Sequence, residues 1–245
     1  MRHAPFPGPR PSPWAILVAA CALLVVGGFA AVAVGNLASR SERIATYVVR
    51  GSLSEVVLDL GDGDVVVARG KPGASVAVRR VERYSYDRRP TTERSVEGGV
   101  FRARSRCPST ILDDCSVSYR VLVPDNVSVD ITTGGGGVRL EDYRGSGSIA
   151  TDGGDVTVTG YCGFSLEVST NGGSVAASAD CPPSRLRLRT GSGAIRATVP
   201  PGSYVLEAES STGAETVRGL TSVVDAPFSV QALSRSGSVV VEAAP

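Results

Sequence analysis

The sequence predicts an all-β protein, a β-solenoid with coils of about 19 residues, preceded by one N-terminal transmembrane helix. Three observations carry this reading: one long uncharged apolar run near the start, short Val-rich alternating segments cut by glycine after it, and a Gly-turn motif that recurs at near-constant spacing.

Residues 1–13, MRHAPFPGPRPSP, place proline at every second position from Pro5 to Pro13 and form an extended tail. From Trp14 to Gly35 the chain carries no charge. At about 1.5 Å per residue a helix over that run is about 33 Å long, against about 30 Å of hydrocarbon. A cleaved signal peptide is the first alternative, because Ala31 and Ala33 make an A-x-A site, but the apolar core exceeds the usual 7–15 residues. A lipoprotein signal at Val18-Ala19-Ala20-Cys21 is the second, and here more apolar sequence follows Cys21 where a polar tether belongs. Residues 36–43 read as a linker, 44–123 as an N-terminal β region with a projecting hairpin, and 124–245 as solenoid repeats.

Arg2 and Arg10 face Arg40 and Arg43 across the span, so charge hardly orients it. The cysteines orient it better. Cys107, Cys115, Cys162 and Cys181 form an even set beyond the apolar run, which suggests two disulfides and an oxidising compartment. The expectation is a cell-membrane protein whose tail is cytoplasmic and whose C-terminal domain is extracytoplasmic.

The repeat runs Thr133-Gly-Gly-Gly-Gly-Val138, Thr151-Asp-Gly-Gly-Asp-Val156, Thr170-Asn-Gly-Gly-Ser-Val175, Thr190-Gly-Ser-Gly-Ala-Ile195 and Ser234-Arg-Ser-Gly-Ser-Val239. A degenerate copy surrounds Gly213, and Leu60-Gly-Asp-Gly-Asp-Val65 is an isolated early copy. From Val138 through Val156 and Val175 to Ile195 the step is nearly constant. A unit with two alternating runs cannot bury its apolar face alone and must stack on its neighbours. The inward positions then fall at Val129, Leu166, Leu186, Leu206 and Val230 before the turn, and at Val138, Val156, Val175, Ile195 and Val239 after it. The glycines mark sharp turns, many of them expected at positive φ. Cys162 and Cys181 each lie six residues after a turn valine, so the alignment stacks them about 4.8 Å apart, within disulfide range. Cys107 and Cys115 then close a loop on themselves.

The stretch Tyr119-Arg-Val-Leu-Val-Pro124-Asp-Asn-Val-Ser-Val-Asp-Ile-Thr-Thr-Gly134, with the Gly-turn copies after it, resembles the bacterial putative-adhesin, or toast-rack-like, β-solenoid domains of unknown function, over residues 44–245. The resemblance implies a right-handed single-strand β-helix in envelope or surface proteins, often with a membrane segment and sometimes linked to envelope stress. It carries over no catalytic residues.

Composition excludes several functions. The one histidine, His3, lies in the tail, so no His-based triad, zinc site or general base exists in the folded part. Beyond residue 35 there are 23 basic and 24 acidic side chains, which is no nucleic-acid footprint. No cofactor is implied. Carboxylate pairs could serve a glycosidase or lyase, but spacing identifies none. Asp59, Asp62, Asp64, Asp152 and Asp155 sit at Gly turns and match no calcium-loop pattern, so they read as turn formers.

The candidate binding surface has two parts. Arg185, Arg187 and Arg189 alternate outward, with Glu167, Arg187 and Glu207 aligned on successive coils; they read as solubilising cross-coil pairs or as a patch for anionic cell-wall polymer. Tyr143 and Tyr161 each follow a turn valine by five residues and stack, as stiffening or as a sugar platform. The Arg- and Tyr-rich segment 79–106 caps or projects from the first coils, and the apolar Val239–Val241 strand predicts an open C-terminal coil that invites self-association. The functional expectation is a non-catalytic, membrane-anchored binding or structural module of the cell envelope. Its partner would be another envelope protein or cell-wall polymer, with a surface adhesin or polysaccharide binder as the alternative.

Overall fold

The computed structural model describes residues 14, 18, 21–29, 40–85, 88–109 and 115–245. The expected tail, half of the apolar run and half of the linker lie outside them, and the linker's residues 41–43 already belong to the first strand. Residues 21–29 are helical, and among the described residues no helix is long and apolar enough to cross a membrane. Among the described residues from Ser41 onward, every regular element is β.

Eight strands make the middle of the molecule: β8 (Ser128–Thr133), β9 (Val138–Glu141), β10 (Gly147–Thr151), β11 (Val156–Tyr161), β12 (Ser165–Thr170), β13 (Val175–Ala179), β14 (Arg185–Thr190) and β15 (Ile195–Val199). The odd-numbered strands pair in parallel in sheet I and the even-numbered ones in sheet II, so each coil gives one strand to each sheet. Register follows the repeat: Ile149 pairs with Ile131 and Val168, and Val156 with Val138 and Val175. These residues point inward and are buried, with Leu166, Leu186 and Ile195, in one continuous core.

The Gly turns are held by a ladder that explains the Thr-to-Gly spacing. The Gly154 N–H donates to Thr151 Oγ1 at 3.0 Å, Gly173 to Thr170 at 3.0 Å and Gly193 to Thr190 at 3.0 Å. Each hydroxyl in turn donates to a glycine carbonyl one coil earlier, as Thr190 does to Gly173 at 2.8 Å. The expectation of widespread positive φ is corrected: in these turns only Gly63 has it. The glycines are needed because coils approach closely. A Cβ on Gly154 would fall inside the carbonyl of Gly136, one on Gly173 inside that of Gly154, and one on Gly193 inside that of Gly173.

Both ends break the sequence order. The N-terminal region forms β1 (Ser41–Val49), β2 (Glu55–Leu60), β3 (Val65–Arg69), β4 (Val76–Tyr84), β5 (Thr91–Glu97), β6 (Val100–Arg106) and β7 (Ser116–Val123). The β2–β3 coil lies between the β8–β9 coil and the β6–β7 coil, although β6 and β7 follow it in the chain. Antiparallel strands then close this end: β4 and β1 beyond β7, and β5 beyond β6. Segment 79–106 is thus divided between β4 and the β5–β6 hairpin, and it caps both sheets.

The C-terminal region forms β16 (Ser203–Ser210), β17 (Glu215–Arg218), β18 (Thr221–Ser222), β19 (Ser229–Ser234) and β20 (Val239–Ala243). The last coil in the chain, β19–β20, inserts between β14–β15 and β16–β17. This corrects the expected open C-terminal coil, since Val239–Val241 is paired on both sides. The open end belongs to β17 and β18.

Candidate functional site

The two expected cystine pairs are present, Cys162–Cys181 with Cα atoms 4.8 Å apart and Cys107–Cys115 at 5.7 Å. The first staples adjacent coils beyond β11 and β13, and the second closes the loop between β6 and β7.

Tyr143 and Tyr161 are not a surface. Each is only 1% exposed, their rings lie 6.3 Å apart, and they stack inside the core. The Tyr143 hydroxyl donates toward the carbonyls of Val127 and Ser146, both at 2.7 Å, and Tyr161 donates to Gly145 at 3.2 Å. Burial pushes both phenols above the ordinary tyrosine range, with Tyr161 adding to the effect on Tyr143. The inward turn has a local cause. Asp142 at φ 52° and Gly160 at φ 64° precede the two tyrosines, and a left-handed residue breaks the two-residue alternation.

The aspartates of the turns serve the backbone. Asp64 accepts the Gly137 N–H at 3.0 Å and Asp155 accepts the Ser174 N–H at 2.7 Å, while Asp152 takes the Asn171 amide at 2.9 Å. Asp59 instead binds Arg106 at 2.7 Å and Arg104 at 3.0 Å. Burial raises its carboxyl, but the two arginines outweigh burial and hold it below the usual range.

Arg185, Arg187 and Arg189 do face outward on β14. Glu167 is the neighbour of Arg187 on β12, as expected, but the inserted β19 places Gln231 on the other side and moves Glu207 one strand further away. Gln231 accepts from Arg189 at 3.1 Å and donates to Glu207, so an amide links the two charges. Toward the middle of sheet II most outward side chains are small, Ser165 and Ser169 flanking Glu167 on β12, and Ser148 and Ala150 on β10.

A groove of about 720 Å³ runs across the ends of β12, β14, β19 and β16. Ser169, Asn171, Arg189, Leu233, Arg235 and Glu209 line it. Hydroxyl, amide, guanidinium and carboxylate groups therefore converge around one apolar side chain, which suits a hydroxyl-rich ligand bearing charge. Arg189 is the one residue of the sequence-predicted surface that the groove contains. Arg235 and Glu209 escaped sequence reading because the repeat alone puts their coils in the wrong order. The opposite end holds a second polar cluster. Arg94 lies 4.5 Å over the Tyr47 ring, and the buried Glu82 pairs with Arg80 at 2.7 Å.

No protein-family model matches the chain, and no curated protein matches it. The chain is similar to the crystal structure of a putative cell adhesion protein from Clostridium sporogenes, at 11% identity and TM-score 0.42, over 83% of this chain and 100% of that one. It is similar to a putative adhesin from Bacteroides fragilis at 11% identity and TM-score 0.41, over 83% and 97% of the two chains. A putative lipid binding protein from Parabacteroides distasonis aligns at 13% identity and TM-score 0.33, again over 83% and 97%.

Proposed function

We propose that the protein is a non-catalytic binding module of the cell envelope that holds a hydroxyl-rich, charged polymer in the groove across β12, β14, β19 and β16. The groove carries the reading: it is open and mostly polar, it crosses four strands, and its lining groups can donate and accept hydrogen bonds. Arg189 and Arg235 supply bidentate donors for carboxylate or phosphate groups on that polymer.

The apolar run 14–35 anchors the module, with the solenoid on the extracytoplasmic side. Its described side chains support this, since Leu23, Leu24, Val25, Val26 and Phe29 are all exposed on the helix, with no other described residue covering them. Two disulfides fit an oxidising compartment. Parallel crossovers are right-handed in nearly all proteins, and a right-handed coil follows for this one.

The test is co-sedimentation of the full chain, kept in detergent, with cell walls at low and high salt. Binding that weakens with salt and drops about a hundredfold or more in Arg189→Gln/Arg235→Gln is expected, since two charge-assisted contacts at about 1.5–3 kcal/mol each are lost. Absence of binding at both salts overturns the reading.

A further inference from the structure

The outer face of sheet I is uneven. Over β11 and β13 it presents Thr157, Thr159, Ala176 and Ser178, which are small and mostly polar. Over β1, β4 and β7 it presents apolar side chains instead. Ile44 is 50% exposed, Val48 57% and Leu122 39%. Ile44 lies opposite Val81, and Val48 opposite Ala77, which itself neighbours Leu122. Between these two apolar rows runs Thr46–Arg79–Arg120, continued across Val66 to Arg139. The acids near the arginines are Glu141, paired with Arg120 at 3.1 Å, and Glu42, paired with Arg83 at 2.9 Å. Arg79 stands in the middle of the apolar mosaic.

Two further facts say what covers this face. Ser41 begins β1 a short way along the chain from Phe29 of the exposed apolar helix, a reach of at most about 40 Å. The cap is also the basic end of the molecule: residues 76–106 hold nine arginines against four acids, whereas residues 203–225 at the other end hold four acids against one arginine.

We infer that the outer face of β1, β4 and β7 lies on an anionic phospholipid surface, with Ile44, Val48 and Leu122 at the headgroup boundary and Arg79 and Arg120 on lipid phosphates. Surfaces of this composition bind bilayers by adding apolar burial to attraction for anionic headgroups. The consequence is orientation: the solenoid rests on the membrane through the capped end of sheet I, and the groove, which belongs to sheet II, points away from it. This rests on the anchor reading above.

The experiment reconstitutes the full chain, in a Cys21→Ala background, into vesicles of phosphatidylcholine alone or mixed with phosphatidylglycerol. An environment-sensitive fluorophore is attached at Val48→Cys or, as the comparison, at Ala176→Cys, and brominated lipid serves as the quencher. Trp14, the one tryptophan of the chain, reports the helix in the same samples. Expected are quenching of Trp14 in both vesicles, blue-shifted and quenched emission at position 48 only with phosphatidylglycerol, and no change at position 176. Arg79→Gln should lower the ratio of lipid-bound to free face about fivefold. Quenched Trp14 with position 48 behaving like position 176 overturns this inference and leaves the anchor standing. Unquenched Trp14 overturns the anchor, and the inference with it.

Discussion

The middle of the solenoid and its two ends are made of the same coils, yet they are ordered by different rules. From β8 to β15 each coil stacks on the one the chain has just completed, so every strand pairs with its equivalent in the adjoining repeat. At the ends a coil remote in sequence fills a gap: Val56 pairs with Val129 and Leu188 with Ala232, each pair separated by more than one intervening repeat length of chain. Local stacking extends the core cheaply, because loop closure over a single repeat costs little entropy. An inserted coil closes a longer loop but is itself held on both sides, and the open edge passes to β17 and β18. The capping strands add to this at the N-terminal end, where the chain turns antiparallel and so offers the next coil no parallel template.

Substitutions separate the two rules. The largest effect is expected in the middle, at the glycine column. Gly154→Val places a side chain inside the Gly136 carbonyl, which neither coil can yield without losing register, so destabilisation above about 4 kcal/mol and loss of folded protein are expected. Gly153→Ala, one residue away, meets nothing within 4 Å and should stay within about 0.5 kcal/mol in the same denaturant titration. If both behave alike, close approach is not what selects glycine.

Next comes the staple. Cys162→Ser/Cys181→Ser opens a link between adjacent middle coils and should cost about 3 kcal/mol, read as a shift of the denaturation midpoint under non-reducing conditions. A shift near zero would mean that coil stacking alone already restrains the unfolded chain there.

A smaller, pH-dependent effect belongs to the buried tyrosines. Tyr143 and Tyr161 keep their protons in the folded state well above pH 10, about where the unfolded chain would release them. Their contribution is therefore fully present below that pH and declines as pH rises further, because only the unfolded state then gains by ionising. Tyrosinate absorbance from these two residues should appear together with the loss of β-sheet circular dichroism. Ionisation of Tyr143 and Tyr161 with the sheet intact would contradict their burial.

The middle was legible because its determinants are local. The Thr and Gly of each turn, the inward valines and the spacing of Cys162 from Cys181 all lie within one repeat. Three things were not. The inward turn of Tyr143 depends on the left-handed Asp142, and a rule of strict alternation points past it. Glycine in a turn points first to positive φ, whereas the carbonyl of the coil beneath is visible only after stacking. The order at the ends was hidden most completely. Leu186 and Leu188 suit Leu206 and Ala208 on the next coil in sequence as well as they suit Val230 and Ala232, so hydrophobic pattern cannot choose between them. For the same reason the sequence aligns Glu167, Arg187 and Glu207 without Gln231, and the groove beside them does not show in it.

The insertion of the last coil is what reshapes that face, and paired cysteines test it most directly. In the structure Arg189 is the register partner of Leu233, while Glu209 lies one strand further away beyond Leu233. Arg189→Cys/Leu233→Cys should therefore form an intramolecular disulfide under mild oxidation, and Arg189→Cys/Glu209→Cys should not, since two strand spacings come to about 9.6 Å and exceed disulfide reach. The reverse result, a bridge at 189–209 and none at 189–233, would show that the coils stack in chain order and that the groove as described does not exist.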